Sequence, residues 1–372
     1  MKNTFITLSL VFFIMFVTAK SNFAEDVEKS FKVSKQSTLD ISLNYGNVNV
    51  FTWDKDEVKI LANNVDSDEL NKLTIEQKGS TVTVQFKGRD SQKFSLDVWI
   101  PSQFNLTANT GGGSVKINDV LSGKVEISSA GGNITTSKIN GRVDLSTRGG
   151  NITCGYIDGN IEVSSGGGDI KLTEVTGVMD VSTLGGNITI GKVHKAADIS
   201  TSGGNITVND IGGNTDISTA GGNITVGYVN GTSEISTGGG NITVAGSKGR
   251  IEASTGGGNI NLKNIGGGVE ASTGAGRVTI ELSSDFKLSS SISTSAGDVI
   301  LSVPDNIKAT IIATVSAAFM DKSSNYIKSD FSGLDYDTEG GKRGGTAKLM
   351  LNGGGPTIEL ETNLGKIEIK KR

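Results

Sequence analysis

The chain has 372 residues, a formal net charge of −4, 52 glycines, three prolines and one cysteine. The charge gives no electrostatic reason to expect a nucleic-acid partner, and a single cysteine, Cys154, excludes an internal disulfide. Abundant glycine with so little proline and no collagen period predicts an ordered chain with many turns at fixed places.

Residues 1–24 are predicted to be a secretory signal peptide. Lys2 supplies positive charge, an apolar run covers residues 5–17, and Ala19 or Ala24 is suitable for the position before the cleaved bond. The run is short for a membrane span and no second one follows, so we expect no transmembrane anchor. The chain is therefore expected to be exported, to the periplasm, the outer surface or the medium.

Residues 25–110 contain irregular strand patterns and both tryptophans, Trp53 and Trp99. We expect this region to form a β cap, because an open end of stacked coils would expose unpaired backbone groups.

Residues 111–283 repeat with a period of about 18 residues. The string Gly-Gly-Asn-Ile-Thr marks the period, and its phase holds from Asn133 to Arg277 without an insertion. It begins at Gly131, Gly149, Gly185, Gly203, Gly221 and Gly239.

One coil, residues 203–220, shows how the repeat folds. Ile206 and Val208 alternate with polar residues, as in a strand with one buried face, and a second alternation surrounds Ile217. Stacked at about 4.8 Å, such coils share one core. The predicted fold is all-β, a parallel β-helix or β-solenoid with about 18 residues per coil. Two-sided and three-sided coils both fit, since Ile211 also has apolar spacing, and parallel crossovers favour right-handed winding.

Residues 284–372 return to a mixed pattern and are predicted to form a C-terminal β region and cap. Two stretches in this region are similar in sequence to stretches of the N-terminal region. Residues 365–369 are similar to residues 46–50, and residues 303–310 are similar to residues 100–107.

Several motifs resemble a family of exported bacterial proteins known as putative adhesins, which are related to adhesin-head-like β-helix proteins and have a domain of unknown function. The motifs are Tyr-Gly-Asn-Val-Asn-Val at 45–50, Trp-Asp-Lys-Asp-Glu-Val at 53–58, Val-Trp-Ile-Pro at 98–101, the repeated Gly-Asn-Ile and Asp-Ile-Ser-Thr units, and Gly-Lys-Ile-Glu-Ile at 365–369. The resemblance implies a β-helical scaffold with a binding role, and it brings no catalytic residues.

An acidic residue recurs at one outward position of every coil from Glu126 to Glu270. The interpretation we favour is a solvated strip that discourages sideways association; the alternative is a cation-binding edge with weak calcium binding. Arg142 and Arg250, two positions earlier in their coils, are expected to relieve some repulsion. The candidate metal ligands are Asp144, Glu162, Asp180, Asp198, Asp216 and Glu234.

The other outward face carries Asn and Thr two residues apart. Asn side chains that stack along the turns and Thr as a good strand residue explain the pattern most simply, whereas a regular Thr array is also typical of ice-binding surfaces. Lys171 and Arg277 interrupt the array. The candidate binding residues are Asn187, Thr189, Asn205, Thr207, Asn223 and Thr225.

Nothing in the sequence indicates catalysis or a cofactor. His194 is the only histidine, which excludes His-based triads and His-rich metal sites, and Cys154 lies at an inward position of its coil. We therefore expect a non-enzymatic, adhesin-like binding or envelope scaffold with a glycan or protein ligand. The alternatives are a self-associating structural envelope protein and an ice-binding protein.

Overall fold

The computed structural model describes residues 24–88, 94–316, 326–337 and 345–372. The predicted signal peptide, apart from Ala24, lies outside the described residues. No helix within these ranges is long and apolar enough to cross a membrane.

The described residues form strands throughout, with one short 3-10 helix at Leu70–Lys72. Strands β1 to β8 are Ala24–Lys32, Thr38–Leu43, Asn47–Trp53, Glu57–Asp66, Leu73–Lys78, Thr81–Phe86, Ser95–Pro101 and Asn105–Thr110. Strands β9 to β18 are Val115–Ile117, Leu121–Ser122, Val125–Ser129, Ile134–Thr136, Ile139–Asn140, Val143–Thr147, Ile152–Asp158, Ile161–Ser165, Ile170–Val175 and Met179–Thr183. Strands β19 to β29 are Ile188–Val193, Ala197–Thr201, Ile206–Ile211, Thr215–Thr219, Ile224–Val229, Ser233–Thr237, Ile242–Ser247, Ile251–Thr255, Ile260–Ile265, Val269–Thr273 and Val278–Leu282. Strands β30 to β37 are Ser290–Ala296, Val299–Val303, Ala309–Val315, Ile327–Ser329, Asp335–Asp337, Gly345–Leu351, Thr357–Leu364 and Ile367–Lys371.

These strands make two large, mostly parallel sheets, which confirms the all-β prediction. Sheet 1 consists of β1, β3, β4, β7, β9, β10, β12, β13, β15, β17, β19, β21, β23, β25, β27, β29, β31, β33 and β37. Sheet 2 consists of β2, β5, β6, β8, β11, β14, β16, β18, β20, β22, β24, β26, β28, β30, β32, β34, β35 and β36.

The pairing register follows the sequence repeat. Ile206 in β21 faces Ile188 on one side and Ile224 on the other, each 18 residues away, and the strands are parallel. Ile217 in β22 has the equivalent partners Ile199 and Ile235 in sheet 2. Because Ile211 belongs to the same strand as Ile206, each coil has two sheets and not three.

The core runs without a break between the two sheets. The inward side chains form one cluster from Leu39 to Ile369, and residues such as Ile206 and Ile217 have no exposed surface. Each such side chain contributes roughly 1.5–3 kcal/mol when it is buried. The shared interior replaces disulfides as the source of stability.

A second buried column consists of hydroxyls and glycines. Thr219 Oγ1 donates to the carbonyl oxygen of Gly204 at 3.0 Å and accepts the N–H of Gly222 at 3.3 Å. A Cβ atom on Gly222 would lie 1.9 Å from that same oxygen, so the coils can stack at this spacing only if the position is glycine. Hydroxyls that bond the preceding coil in this way belong to Thr110, Ser129, Thr147, Ser165, Thr183, Thr201, Thr219, Thr237, Thr255, Thr273, Thr294 and Thr362.

The first and last coils are inserted into the stack out of sequence order. Strand β2 pairs in parallel with both β6 and β8, and β3 pairs with both β7 and β9. At the other end, β36 lies between β30 and β32, and β37 lies between β31 and β33. Residues 46–50 and 365–369, which are similar in sequence, therefore occupy equivalent places one coil in from each end. The parallel pairing extends beyond residues 111–283 in both directions.

Antiparallel strands form three of the four sheet edges at the ends of the stack. At the N-terminal end, β1 pairs with β4 and β5 pairs with β6, and Lys29 Nζ joins the two edge strands by donating to the carbonyl oxygen of Ile75 at 2.9 Å. Phe31 and Leu73 pack partly buried against the core there. At the other end sheet 1 ends on the three-residue strand β33, which is parallel to β37, whereas in sheet 2 β35 is antiparallel to β32 and to β34. A further parallel coil cannot continue the register at such an edge without rearrangement.

Candidate binding faces

The acidic residues form one continuous column on the outward side of sheet 2. Asp198 faces Asp180 and Asp216 across the strand pairs, and all three side chains are exposed. The predicted candidates are brought together in this order along the sheet: Asp144, Glu162, Asp180, Asp198, Asp216 and Glu234.

Among the described residues, basic partners of this column lie towards its two ends. Arg142 Nη2 is 3.8 Å from Glu162 Oε2, and Arg250 Nη2 is 2.7 Å from Glu270 Oε2. Each arginine thus contacts the acid of the next coil rather than that of its own, because its side chain extends along the column. Between them, no basic side chain of the described residues makes an ion pair with Asp198.

The centre of the column therefore keeps a concentration of negative charge. Burial, and secondly the charge of Asp198, raises the pKa of the Asp180 and Asp216 carboxyls above the ordinary value. The described residues contain no group of three or more His, Cys, Asp or Glu side chains arranged to hold a metal ion. Calcium binding stays a prediction, which is tested by whether millimolar calcium raises the melting temperature.

The asparagines of sheet 1 form a hydrogen-bonded ladder at the start of each strand. The N–H of Asn205 donates to Asn187 Oδ1 at 2.9 Å, and Asn205 Nδ2 donates to the same oxygen at 3.2 Å. Asn223 bonds to Asn205 Oδ1 in the same way, at 2.8 and 3.3 Å. Each amide is therefore held in one orientation by the coil before it and the coil after it.

The threonines of the same face lie two residues after the asparagines. Thr207 faces Thr189 and Thr225 across the parallel pairs. All six candidate residues of the Asn/Thr face are exposed: Asn187, Thr189, Asn205, Thr207, Asn223 and Thr225. Lys171 takes the Thr position two coils before Thr207 without disturbing the register, so the face accepts a long charged side chain.

An aromatic pair on the N-terminal part of sheet 1 has no counterpart in the predicted sites. The rings of Phe51 and Trp99 stack with their centroids 5.4 Å apart, and Lys59 Nζ lies 5.5 Å from the Trp99 ring on the neighbouring strand. Cross-strand neighbours of this type stabilise a sheet. Because both rings are only partly exposed, we interpret the pair as packing. Sequence reasoning missed it because the partners belong to β3 and β7, which are not adjacent in the chain.

The remaining reactive side chains lie in unremarkable places. His194 Nε2 is 2.7 Å from Glu174 Oε1 on the open surface. Cys154 is fully buried in the core, and burial raises the pKa of its thiol to about 12. A thiol of that kind is neither a nucleophile nor a metal ligand at neutral pH.

No protein-family model and no curated protein matches the chain. Solved structures show some likeness. A putative adhesin from Parabacteroides distasonis is 16% identical, with 70% of this chain and 97% of that chain covered and a TM-score of 0.32. A putative adhesin from Bacteroides fragilis is also 16% identical, covering 69% and 96%, with a TM-score of 0.29. A putative lipid binding protein from Parabacteroides distasonis is 14% identical, covering 71% and 96%, with a TM-score of 0.33.

Two of these descriptions agree with the resemblance drawn from the sequence. Identities of 14 to 16% and TM-scores near 0.3 do not transfer a ligand or an activity to this chain. Any function must therefore follow from the surfaces of the chain itself.

Proposed function

We propose that this chain is an exported, non-enzymatic β-solenoid that binds an envelope or extracellular ligand on the Asn/Thr face of sheet 1. The observation that carries the proposal is the strict register of that face, in which Asn205 and Thr207 repeat in the neighbouring coils at the spacing of the strands. Because each Asn amide is hydrogen-bonded to the coils on either side, ligand binding does not have to order it.

A linear array of this kind suits a ligand that repeats. A polymer that places hydroxyl or amide groups along its length meets one Asn and one Thr at each of the four coils from Asn187 to Thr243. A single hydrogen bond contributes only about 0.5–1.5 kcal/mol net. Several hydrogen bonds to one polymer chain contribute together, because the translational entropy of binding is lost only once for the whole chain. A glycan or an extended protein segment fits this description.

A binding role is favoured over an enzymatic one by the shape of the faces. Catalysis needs groups that converge around a substrate, whereas the outward side chains of these parallel strands point the same way and do not converge. His194 is engaged by Glu174 on the open surface, and Cys154 is buried. Assays for polysaccharide cleavage should accordingly show no turnover.

Structural self-association is the second candidate, and the ends of the stack argue against its end-to-end form. Among the described residues, three of the four sheet edges at the two ends are antiparallel strands, the fourth is the three-residue parallel strand β33, and Lys29 bonds the two N-terminal edge strands to each other. Light scattering of the protein without its predicted signal peptide should therefore show a monomer. Assemblies that grow with concentration would favour the structural role.

The test compares two double variants in glycan-array and cell-binding assays. Thr207→Lys with Thr225→Lys places two long charged side chains on the proposed face, at positions where Lys171 shows that the coil accepts lysine. Ser200→Lys with Ser218→Lys places the same charges on sheet 2 and is the matched control. We expect binding by the wild type and the control, and at least tenfold weaker binding by the first variant. Uniformly negative screens of the wild type, or equal loss in both variants, would contradict the proposal.

A further inference from the structure

The asparagine ladder of sheet 1 is interrupted at one coil near its C-terminal end. The N–H of Arg277 still donates to Asn259 Oδ1 at 2.8 Å. The equivalent residue of the next coil is Asp298, because Val278 pairs with Val299. Arginine has no side-chain oxygen, so the N–H of Asp298 lacks the acceptor that an asparagine would supply.

The ladder resumes directly after this interruption. Asp298 Oδ1 accepts the N–H of Lys366 at 3.1 Å, as the asparagines do for their neighbours. Asp298 Oδ2 accepts from Arg277 Nη2, also at 3.1 Å. Both oxygens of Asp298 are thus engaged, whereas the Arg277 guanidinium has five N–H donors and makes one side-chain hydrogen bond to the described residues, the one to Asp298. The interruption leaves an excess of donors at one place.

A groove of about 560 Å³ lies at the same place, within the range of about 300–1,000 Å³ that is usual for small-molecule sites. Its lining includes Arg277, Asp298, Asn259, Asn261 and Thr279. The Oδ1 atom of Asn261 is buried and accepts no hydrogen bond from any described residue. Because that oxygen is buried, the accessible acceptor of the groove is the hydroxyl of Thr279, which can also donate, so that the groove offers hydrogen-bonding groups of both kinds.

We infer that this groove binds the carboxylate of an acidic sugar, that is, a uronic acid unit of an oligosaccharide. One carboxylate oxygen takes the place of the missing asparagine oxygen and accepts the N–H of Asp298. The other oxygen accepts from the free edge of the Arg277 guanidinium, which suits carboxylates.

A sugar fits the rest of the lining better than a peptide does. Thr279 and Asn261 offer a hydroxyl and an amide for the ring hydroxyls of a sugar. The apolar side chains of the lining are Ile260, which is fully buried, and Ala296, and the single methyl group of Ala296 provides no pocket for the side chain of a peptide. This groove lies four coils from Thr207, so the inference goes beyond the ligand proposed for the Asn/Thr face and does not depend on it.

The experiment is calorimetric titration of the protein with trigalacturonic acid and, separately, with the neutral trisaccharide galactotriose. The test variant is Arg277→Asn, which restores the ladder residue and should keep the melting temperature of the wild type. The control is Arg250→Asn, which removes an arginine of similar exposure, 48% against 57% for Arg277, directly before β26 of sheet 2. We expect saturable binding of the acidic trisaccharide by the wild type and the control, at least tenfold weaker binding by Arg277→Asn, and no binding of galactotriose.

Three results would overturn the inference: no binding of the acidic trisaccharide by the wild type, equal binding by Arg277→Asn, or equal binding of the neutral trisaccharide. Tighter binding of an acetylated triglutamate peptide would reject the sugar and assign the groove to a protein partner. The Thr207→Lys and Thr225→Lys variant should titrate like the wild type here, so failure of this inference is distinguishable from failure of the proposed function.

Discussion

Gly221 and Gly222, two neighbouring glycines of one turn, should respond in opposite ways to substitution by alanine. In Gly222→Ala the new methyl group lies 1.9 Å from the carbonyl oxygen of Gly204, where real Cβ contacts are not shorter than 3.0 Å. The two coils must therefore separate locally by more than 1 Å. This separation strains the core and breaks the hydrogen bond between Thr219 Oγ1 and Gly204.

The expected cost combines two effects. Overpacking of a close-packed interior costs about 1–3 kcal/mol, and the broken hydrogen bond between Thr219 Oγ1 and Gly204 contributes about 0.5–1.5 kcal/mol. We expect Gly222→Ala to lower the free energy of unfolding by roughly 1.5–4.5 kcal/mol.

Gly221→Ala is the matched control, one residue earlier. A Cβ at Gly221 meets nothing within 4 Å, and its φ lies outside the left-handed region. Alanine there restricts only the unfolded chain, so the free energy of unfolding should rise by about 0.4–1 kcal/mol. Urea and thermal unfolding followed by circular dichroism measure both variants. If Gly222→Ala were as stable as Gly221→Ala, the coils would not stack through this column and the registers described above would be wrong.

Three further predictions concern charge, buried polarity and the thiol. Asp198→Asn removes repulsion from two neighbours, so at pH 7 and low salt it should stabilise the protein by roughly 1 kcal/mol. The pKa values of Asp180 and Asp216 are raised in the folded state, so the wild type is more stable when these carboxyls are protonated and loses stability as the pH rises through their folded pKa values. The stability advantage of Asp198→Asn should therefore disappear in acid. An advantage that persists in acid would show that it does not come from charge repulsion. Ser233 has a buried hydroxyl that makes no hydrogen bond to a described residue, so Ser233→Ala should be neutral or stabilising by about 1 kcal/mol. Thr215→Val removes a 2.8 Å hydrogen bond to a backbone oxygen and should destabilise the protein by about 0.5–1.5 kcal/mol. Equal effects of the two substitutions would contradict this difference in hydrogen bonding. Because burial raises the pKa of the Cys154 thiol to about 12, iodoacetamide should label it only after unfolding, and rapid labelling of the folded protein would show that the core opens there.

The repeat determines much of the structure before any coordinates are known. Once coils of equal length stack, residues 18 positions apart must be neighbours, so the column through Ile188, Ile206 and Ile224 and the acidic column through Asp198 follow from the sequence alone. The Asn ladder follows for the same reason, because an amide repeated at the strand spacing can hydrogen-bond to its own copy. These predictions succeed because the sequence separation of the repeated residues, 18 positions, is also the separation of the residues that are in contact between neighbouring coils.

Features that join residues at other separations were decided only by the tertiary structure. The sequence left two or three sheets open, and the continuous strand from Ile206 to Ile211 decided for two. It showed that residues 46–50 and 365–369 are alike, but not that each lies one coil inside its end of the stack, since β3 pairs with β9 across a long intervening segment. The bond from Thr219 to Gly204 spans 15 residues. Periodicity constrains only contacts that repeat with its own spacing, and all others depend on how the ends close and which way each side chain turns.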